Sequence, residues 1–158
     1  MSIAAPARGA EEAETDRVLR SESLGGLRIE LPESEVLKLL GPPAKRSKLV
    51  VQEVDSTYEQ DWTYPEKGIE LSMTTGAKKT GAKKIVRITA SAPRLLATRK
   101  GIKIGSAEPI VRKAYAADAD REMPPEPGVF VVGSVYGGII FNFEKGKVSR
   151  IFFGAAAE

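Results

Sequence analysis

The spacing of apolar positions changes period several times along the chain. Leu27, Ile29 and Leu31 alternate with Arg28 and Glu30, which predicts a short half-buried strand. Val36, Leu37, Leu39 and Leu40 then fall at helical spacing. Pro32 suits the first helical position, and Gly41-Pro42-Pro43 ends the helix. Four strands are predicted next, over residues 49–54, 58–64, 68–74 and 84–90. Tyr58, Gln60, Trp62 and Tyr64 share one face of the second, and Ile69, Leu71 and Met73 one face of the third. Pro65-Glu66-Lys67-Gly68 reads as a tight turn and 75–83 as a longer hairpin loop, so the strands form an antiparallel meander.

The plan then recurs. Gly26-Leu27-Arg28-Ile29, Glu33, Val36, Lys38 and Leu40 match Gly101-Ile102-Lys103-Ile104, Glu108, Val111, Lys113 and Tyr115 at an offset of 75 residues. Ser106 is positioned as an N-cap, with Pro109 in the first turn. Val111, Ala114 and Tyr115 take the core positions of Val36, Leu39 and Leu40. A polar loop over 116–128 leads to predicted strands at 129–136, 139–143 and 148–153, with turns at Gly137-Gly138 and over 144–147. Lys84-Ile85-Val86-Arg87-Ile88 echoes Lys147-Val148-Ser149-Arg150-Ile151, and Gly68-Ile69 echoes Gly138-Ile139. The expected fold is therefore α+β: two tandem repeats, each a short helix packed on an antiparallel sheet of three or four strands. The repeats span 24–93 and 94–158 and share one domain. Residues 1–23 read as a flexible tail, with its first 20 residues dispensable for stability.

Composition narrows the chemistry. The 158 residues contain no Cys and no His. Disulfides, thiol nucleophiles, thiolate metal sites and His-based catalysis are excluded. An enzyme would have to rely on carboxylates, Lys, Tyr or Ser. No two acids are spaced for a carboxylate hydrolase, and no cofactor or metal motif is intact, so no enzyme, cofactor or metal is expected. The net charge is +3. Residues 1–23 hold three arginines against five acids, a net of −2, leaving +5 to the rest. That is short of the dense basic face of a dedicated nucleic-acid binder. No apolar run reaches membrane-spanning length. Residues 1–10 lack the hydrophobic block of a signal peptide, which points to the cytoplasm for the chain as it stands. Ala5-Pro6-Ala7 has the small-residue character found just after a cleaved signal, which would make the protein exported or periplasmic.

Trp62-Thr63-Tyr64-Pro65-Glu66-Lys67-Gly68-Ile69-Glu70-Leu71, followed by Lys84-Ile85-Val86-Arg87-Ile88, carries a resemblance. A helix entered by a Gly-Ile-x-Ile-type segment and followed by a small antiparallel sheet, present twice, resembles the β-lactamase-inhibitory-protein fold. It is related in plan to the small lipoproteins of the outer-membrane β-barrel assembly machinery, which have one such unit. The resemblance implies an exported protein that binds other proteins with an exposed sheet face. The chain lacks the disulfides of those inhibitors and the lipidated Cys of those lipoproteins, and no binding residue carries over.

Three groups of residues are candidate sites. Tyr58, Trp62 and Tyr64, with Tyr136 and Phe130 in the second half, are either anchors on an exposed sheet or core beneath the helices; large aromatics more often belong to cores. Arg87 and Arg150 occupy matching positions and are expected on the outer sheet face with Glu70, Ser72 and Thr74, where they can meet a partner's carboxylates or neighbouring Glu70 and Glu144. Lys78, Lys79, Lys83 and Lys84 form a Gly-Ala-Lys-Lys tandem that fails the phosphate-loop pattern and reads first as a soluble hairpin tip. Asp118, Asp120, Glu122 and Glu126 lack the spacing of a calcium loop.

The leading expectation is a non-enzymatic protein-binding or inhibitor-like module of bacterial envelope type. Alternatives are a structural envelope-assembly component and a weak polyanion or nucleic-acid binder through the lysine loop. Neutralising Lys78, Lys79, Lys83 and Lys84 together is expected to alter only weak, salt-sensitive binding to heparin or DNA, measured by salt titration of a retarded band. Loss of a tight, salt-resistant interaction would move the protein to the polyanion class.

Overall fold

The computed structural model describes residues 17–92, 96–122 and 126–156. They form three helices and one antiparallel eight-stranded sheet, an α+β fold. The helices are α1 (17–21), α2 (Glu33–Leu40) and α3 (Glu108–Ala114). The strands are β1 (Lys45–Arg46), β2 (Val50–Val51), β3 (Tyr58–Tyr64), β4 (Ile69–Gly76), β5 (Lys84–Ser91), β6 (Val129–Ser134), β7 (Gly137–Glu144) and β8 (Lys147–Gly154). Their order is β1-β3-β4-β5-β8-β7-β6, with β2 also on β3.

Each of α2 and α3 is followed by a three-stranded meander, and the two meanders meet through β5 and β8. Ile88 pairs with Phe153, Thr89 with Phe152, Ala90 with Ile151 and Ser91 with Arg150. Alternation puts Trp62, Leu71, Ile88, Phe153, Ile139 and Val132 in one row across the sheet, all buried. Tyr64, Ile69, Ala90, Ile151, Phe141 and Phe130 form the next row of the same face. These rows, with Val36, Val111 and Tyr115 from the helical layer, make one hydrophobic cluster.

Several backbone contacts occur in both halves. Glu30 N–H donates to Ile85 O (2.7 Å) and Ile85 N–H to Leu31 O (3.0 Å); Gly105 N–H donates to Val148 O (2.8 Å) and Val148 N–H to Ser106 O (2.9 Å). The first turn of α2 is tied to the sheet by Glu33 N–H to Lys83 O, and that of α3 by Glu108 N–H to Gly146 O, both at 2.9 Å. Glu30 and Gly105 both have positive φ, 72° and 92°. The register slips between Ser72 and Met73 on β4 and between Asn142 and Phe143 on β7, so Val86 and Ser149 are the extra residues of two bulges.

Local structure departs from the sequence expectation at several points. Residues 27–31 alternate but are not a strand: Glu30 has positive φ, and the segment meets β5 only through the hydrogen bonds of Glu30 and Leu31 with Ile85 and one isolated bridge, Pro32 with Lys84. Pro32 is the residue before α2 rather than its first, and Ala107 rather than Ser106 precedes α3; Ser106 Oγ instead accepts the Lys103 N–H at 3.0 Å. Of the α2 stripe Val36 alone is fully buried, while Leu37 and Leu39 are exposed, because eight residues offer the sheet a single inward position. Only Val50 and Val51 of the predicted strand at 49–54 pair with β3, and Lys45–Arg46 pairs as well. The β6–β7 turn is Val135-Tyr136. Gly137 and Gly138 lie in the strand, where a Cβ on Gly138 would come 2.0 Å from Val132 O.

Residues 17–23, assigned by sequence to the tail, are docked. Val18 is 2% exposed and lies against Gly133, and Arg17 pairs with Asp118. Glu22 is buried and anchors a hydrogen-bonded chain. Ile102 N–H donates to Thr98 Oγ1 (3.2 Å), the Thr98 and Tyr115 hydroxyls are 2.7 Å apart, and Tyr115 Oη donates to Glu22 Oε1 (2.7 Å). Glu22 Oε2 accepts the N–H groups of Ser23 (3.2 Å) and Arg99 (3.0 Å). The chain ties the first docked segment, the joint between halves and α3 together. A buried carboxylate is tolerated because its lone pairs are occupied. Burial raises the Tyr115 phenol far above its ordinary pKa; the Thr98 hydrogen bond opposes this, and Glu22 adds to the rise.

Tyr115→Phe is expected to cost ~1.5–3 kcal/mol in urea unfolding, since it removes a hydrogen bond to a charged acceptor. In the wild type the native state keeps the Tyr115 proton that the unfolded chain gives up near the ordinary value of 10.0, so stability falls as pH rises past that value. The variant should lose this component of the alkaline slope, read from denaturation midpoints at a series of pH values.

Candidate functional site

The sheet has a second face. Between the buried rows lie Thr63, Glu70, Thr89, Phe152, Ile140 and Val131, consecutive cross-strand partners from β3 to β6. Asp61, Ser72 and Arg87 form a second row on the first half, and Ser91, Arg150, Asn142 and Val129 a row from β5 to β6. Alternation forces these side chains away from the helices. Phe152 (8% exposed) and Val131 are well shielded yet stand outside the hydrophobic cluster that joins sheet and helices.

The centre of this outer face has a defined chemistry. Arg87 and Arg150 line one shallow depression with Ile140 and Phe152, together with Gln52 and the small residues Ala155 and Ala156. The Arg150 guanidinium lies over the Phe152 ring, 5.7 Å from its centroid. Arg87 pairs with the Glu59 carboxylate. Arg150 is exposed and meets no carboxylate among the described residues. Beside the apolar row, Gly133, Gly138 and Gly154 are cross-strand partners on β6, β7 and β8. A Cβ on Gly154 would sit 2.8 Å from Arg87 Cγ and from Val86 O, so glycine there leaves room for the arginine stem to lie flat. Asn142 Oδ1, on the strand next to Arg150, is buried without a hydrogen-bond partner.

The face is polarised. Its first half carries Glu59, Asp61 and Glu70, its centre carries the two arginines, and the rows of its second half are apolar or side-chain-free apart from Asn142. Asp61 Oδ1 accepts from Ser72 Oγ at 3.0 Å, fixing one carboxylate on the surface.

The sequence candidates divide. Trp62 and Tyr64, 1% and 4% exposed, are core: Trp62 Nε1 donates to Gln60 Oε1 (2.8 Å), Tyr64 Oη donates to Gly41 O (2.8 Å), and Arg46 lies 4.7 Å from the centre of the Trp62 ring. They are unavailable as surface anchors because their parity on β3 is that of Leu71 and Ile69. Tyr58 is half-buried at the start of β3, beside the register shift. Tyr136 is 58% exposed at the β6–β7 turn, and Phe130 is buried beside Phe141, so the two do not share a face. Glu70 and Ser72 are on the outer face; Thr74 is buried, its hydroxyl donating to Tyr58 O at 2.8 Å. Lys78 and Lys79 are exposed in the β4–β5 loop, but Lys84 Nζ is 3.4 Å from Glu30 and Lys83 N–H donates to Glu33 Oε1 at 2.9 Å. The Lys84 side chain is thus engaged at the entry to α2, while Lys83 is tied there through its backbone. In the acidic loop Asp118 pairs with Arg17 and Asp120 accepts the Glu122 N–H, and no group of three or more metal-ligating side chains occurs among the described residues. No helix among them is long and apolar enough to cross a membrane.

Sequence reasoning missed Phe152 and Ile140. Phe152-Phe153 is an apolar pair in which alternation must send one ring outward, and that signal was present. No family model, no curated protein and no solved structure matches this chain.

Trp62→Ala is expected to destabilise the protein by ~3–5 kcal/mol in chemical denaturation, the cost of emptying a large aromatic site in a packed core. A loss below ~1 kcal/mol would contradict its position in the core.

Proposed function

We propose that the protein is a non-enzymatic binding module that offers the outer face of its sheet to a protein partner. One observation carries this reading: helices cover one face of the eight-stranded sheet, and the other presents a shallow depression whose apolar floor is flanked by two arginines. An antiparallel sheet can keep one face in water. Such a face ordinarily alternates to polar residues, whereas here Phe152, Ile140 and Val131 are contiguous on it. Phe152 and Val131 are themselves shielded, so the accessible contact is half-buried Ile140 with exposed Arg150 lining the same depression. The depression is open and holds no pair of converging carboxylates, which suits contact with another surface better than turnover of a small substrate. The two helix-plus-meander halves support a tandem-duplication reading, and a broad binding face agrees with what the sequence resemblance implies.

The test is affinity capture with the intact protein and two variants. Ile140→Glu alters the outer face, and Ile110→Glu alters an exposed position on α3. Proteins captured by the wild type should be lost with Ile140→Glu and kept with Ile110→Glu. Retention by both, or loss with Ile110→Glu alone, would place the contact elsewhere. Turnover of a substrate abolished by one carboxylate or Lys substitution, with the fold intact, would overturn the reading altogether.

A further inference from the structure

We infer that the outer face docks a protein segment in which an acidic residue stands beside a large apolar one, the carboxylate held by Arg150 and Arg87 and the apolar side chain seated on half-buried Ile140, beside the shielded Phe152 ring. This rests on the binding-module reading and specifies its partner. The argument begins with charge. Arg150 is an exposed cation that meets no carboxylate among the described residues, and it lies over the Phe152 ring. Arg87 lines the same depression and is already paired with Glu59, so the two arginines are left with one uncompensated charge that a single incoming carboxylate balances better than several would. The apolar floor lies in contact with the Arg150 guanidinium, so acid and apolar group must be neighbours in the partner.

The distribution of charge adds a second argument. A polyanion fits poorly, because a chain of phosphates crossing this face would pass Asp61 and Glu70. The same two acids favour a partner whose basic or neutral residues follow its acid toward β3.

A random twelve-residue peptide library displayed on phage, panned on the full chain, supplies the probe. The best peptide is then synthesised and titrated against wild type, Arg150→Gln and Arg150→Glu, each checked for an unchanged melting temperature. Its footprint is mapped by amide chemical shifts. The expected sequences are enriched in Asp or Glu adjacent to Phe, Tyr, Trp, Leu or Ile, with shifts centred on Thr89, Ile140 and Phe152. Arg150→Gln should weaken binding about tenfold, and Arg150→Glu further. Peptides that map to this face without acidic enrichment, or that bind Arg150→Glu as well as wild type, overturn the inference and leave the binding-face reading standing. Peptides that map only to the helical side, or a library that yields no binder, overturn both. Displacement of the peptide by stoichiometric heparin or duplex DNA would assign the face to polyanions instead.

Discussion

The pairing of β5 with β8 is the contact on which the rest of the structure depends. Without it the chain would form two three-stranded meanders, each with one short helix, and neither would enclose much of a core. With it, Ile88 and Phe153 continue a buried row from Trp62 on one side to Val132 on the other. The register is held by burial. A slip of one residue would send Phe153 to water and Phe152 into the helical layer, at the cost of every cross-strand contact in the row.

The helical layer is pinned to this sheet by polar groups as much as by apolar ones. α2 and α3 each supply one fully buried valine, so burial alone would hold them weakly. Their first turns donate to the strand backbone at matching points, and the Glu22–Tyr115–Thr98 chain fastens α3 to the joint and to the docked first segment. Such a network tolerates little change. Its groups are buried and each serves two neighbours, so removing one strands others.

Much of this was legible in the sequence, for reasons that can be stated residue by residue. The turn at Pro65–Gly68, the strand phases of 58–64 and 68–74, and the inward positions of Val36 and Val111 follow from periodicity and turn chemistry alone. Alternation tells which residues share a face and not which face is covered, so Tyr58, Trp62 and Tyr64 could not be assigned before the helices were placed. The segment at 27–31 mimics a strand because its alternation is real, but Glu30 adopts a left-handed conformation that no local pattern announces. Gly137-Gly138 looked like a turn because glycine favours turns; at Gly138 it answers a close backbone approach, a tertiary cause. The docking of Val18 and Glu22 depends on Gly133 and Tyr115, more than ninety residues away, which lies beyond the reach of any window read along the chain. Arg87 and Arg150 were placed on the outer face by their phase, whereas the apolar floor between them emerged only when β5 and β8 were joined.

The register of β5 against β8 has one more consequence. Exchanging the two strands leaves the pairing scheme unchanged, with Thr89 and Phe152 at the exchange point. In backbone terms the centre of the outer surface therefore looks nearly alike from two opposite approaches. Side chains remove that degeneracy. A threonine faces a phenylalanine across the axis, and Arg87 pairs with Glu59 while Arg150 meets no carboxylate among the described residues. The backbone here is close to non-directional, and a handful of differing side chains gives it a direction.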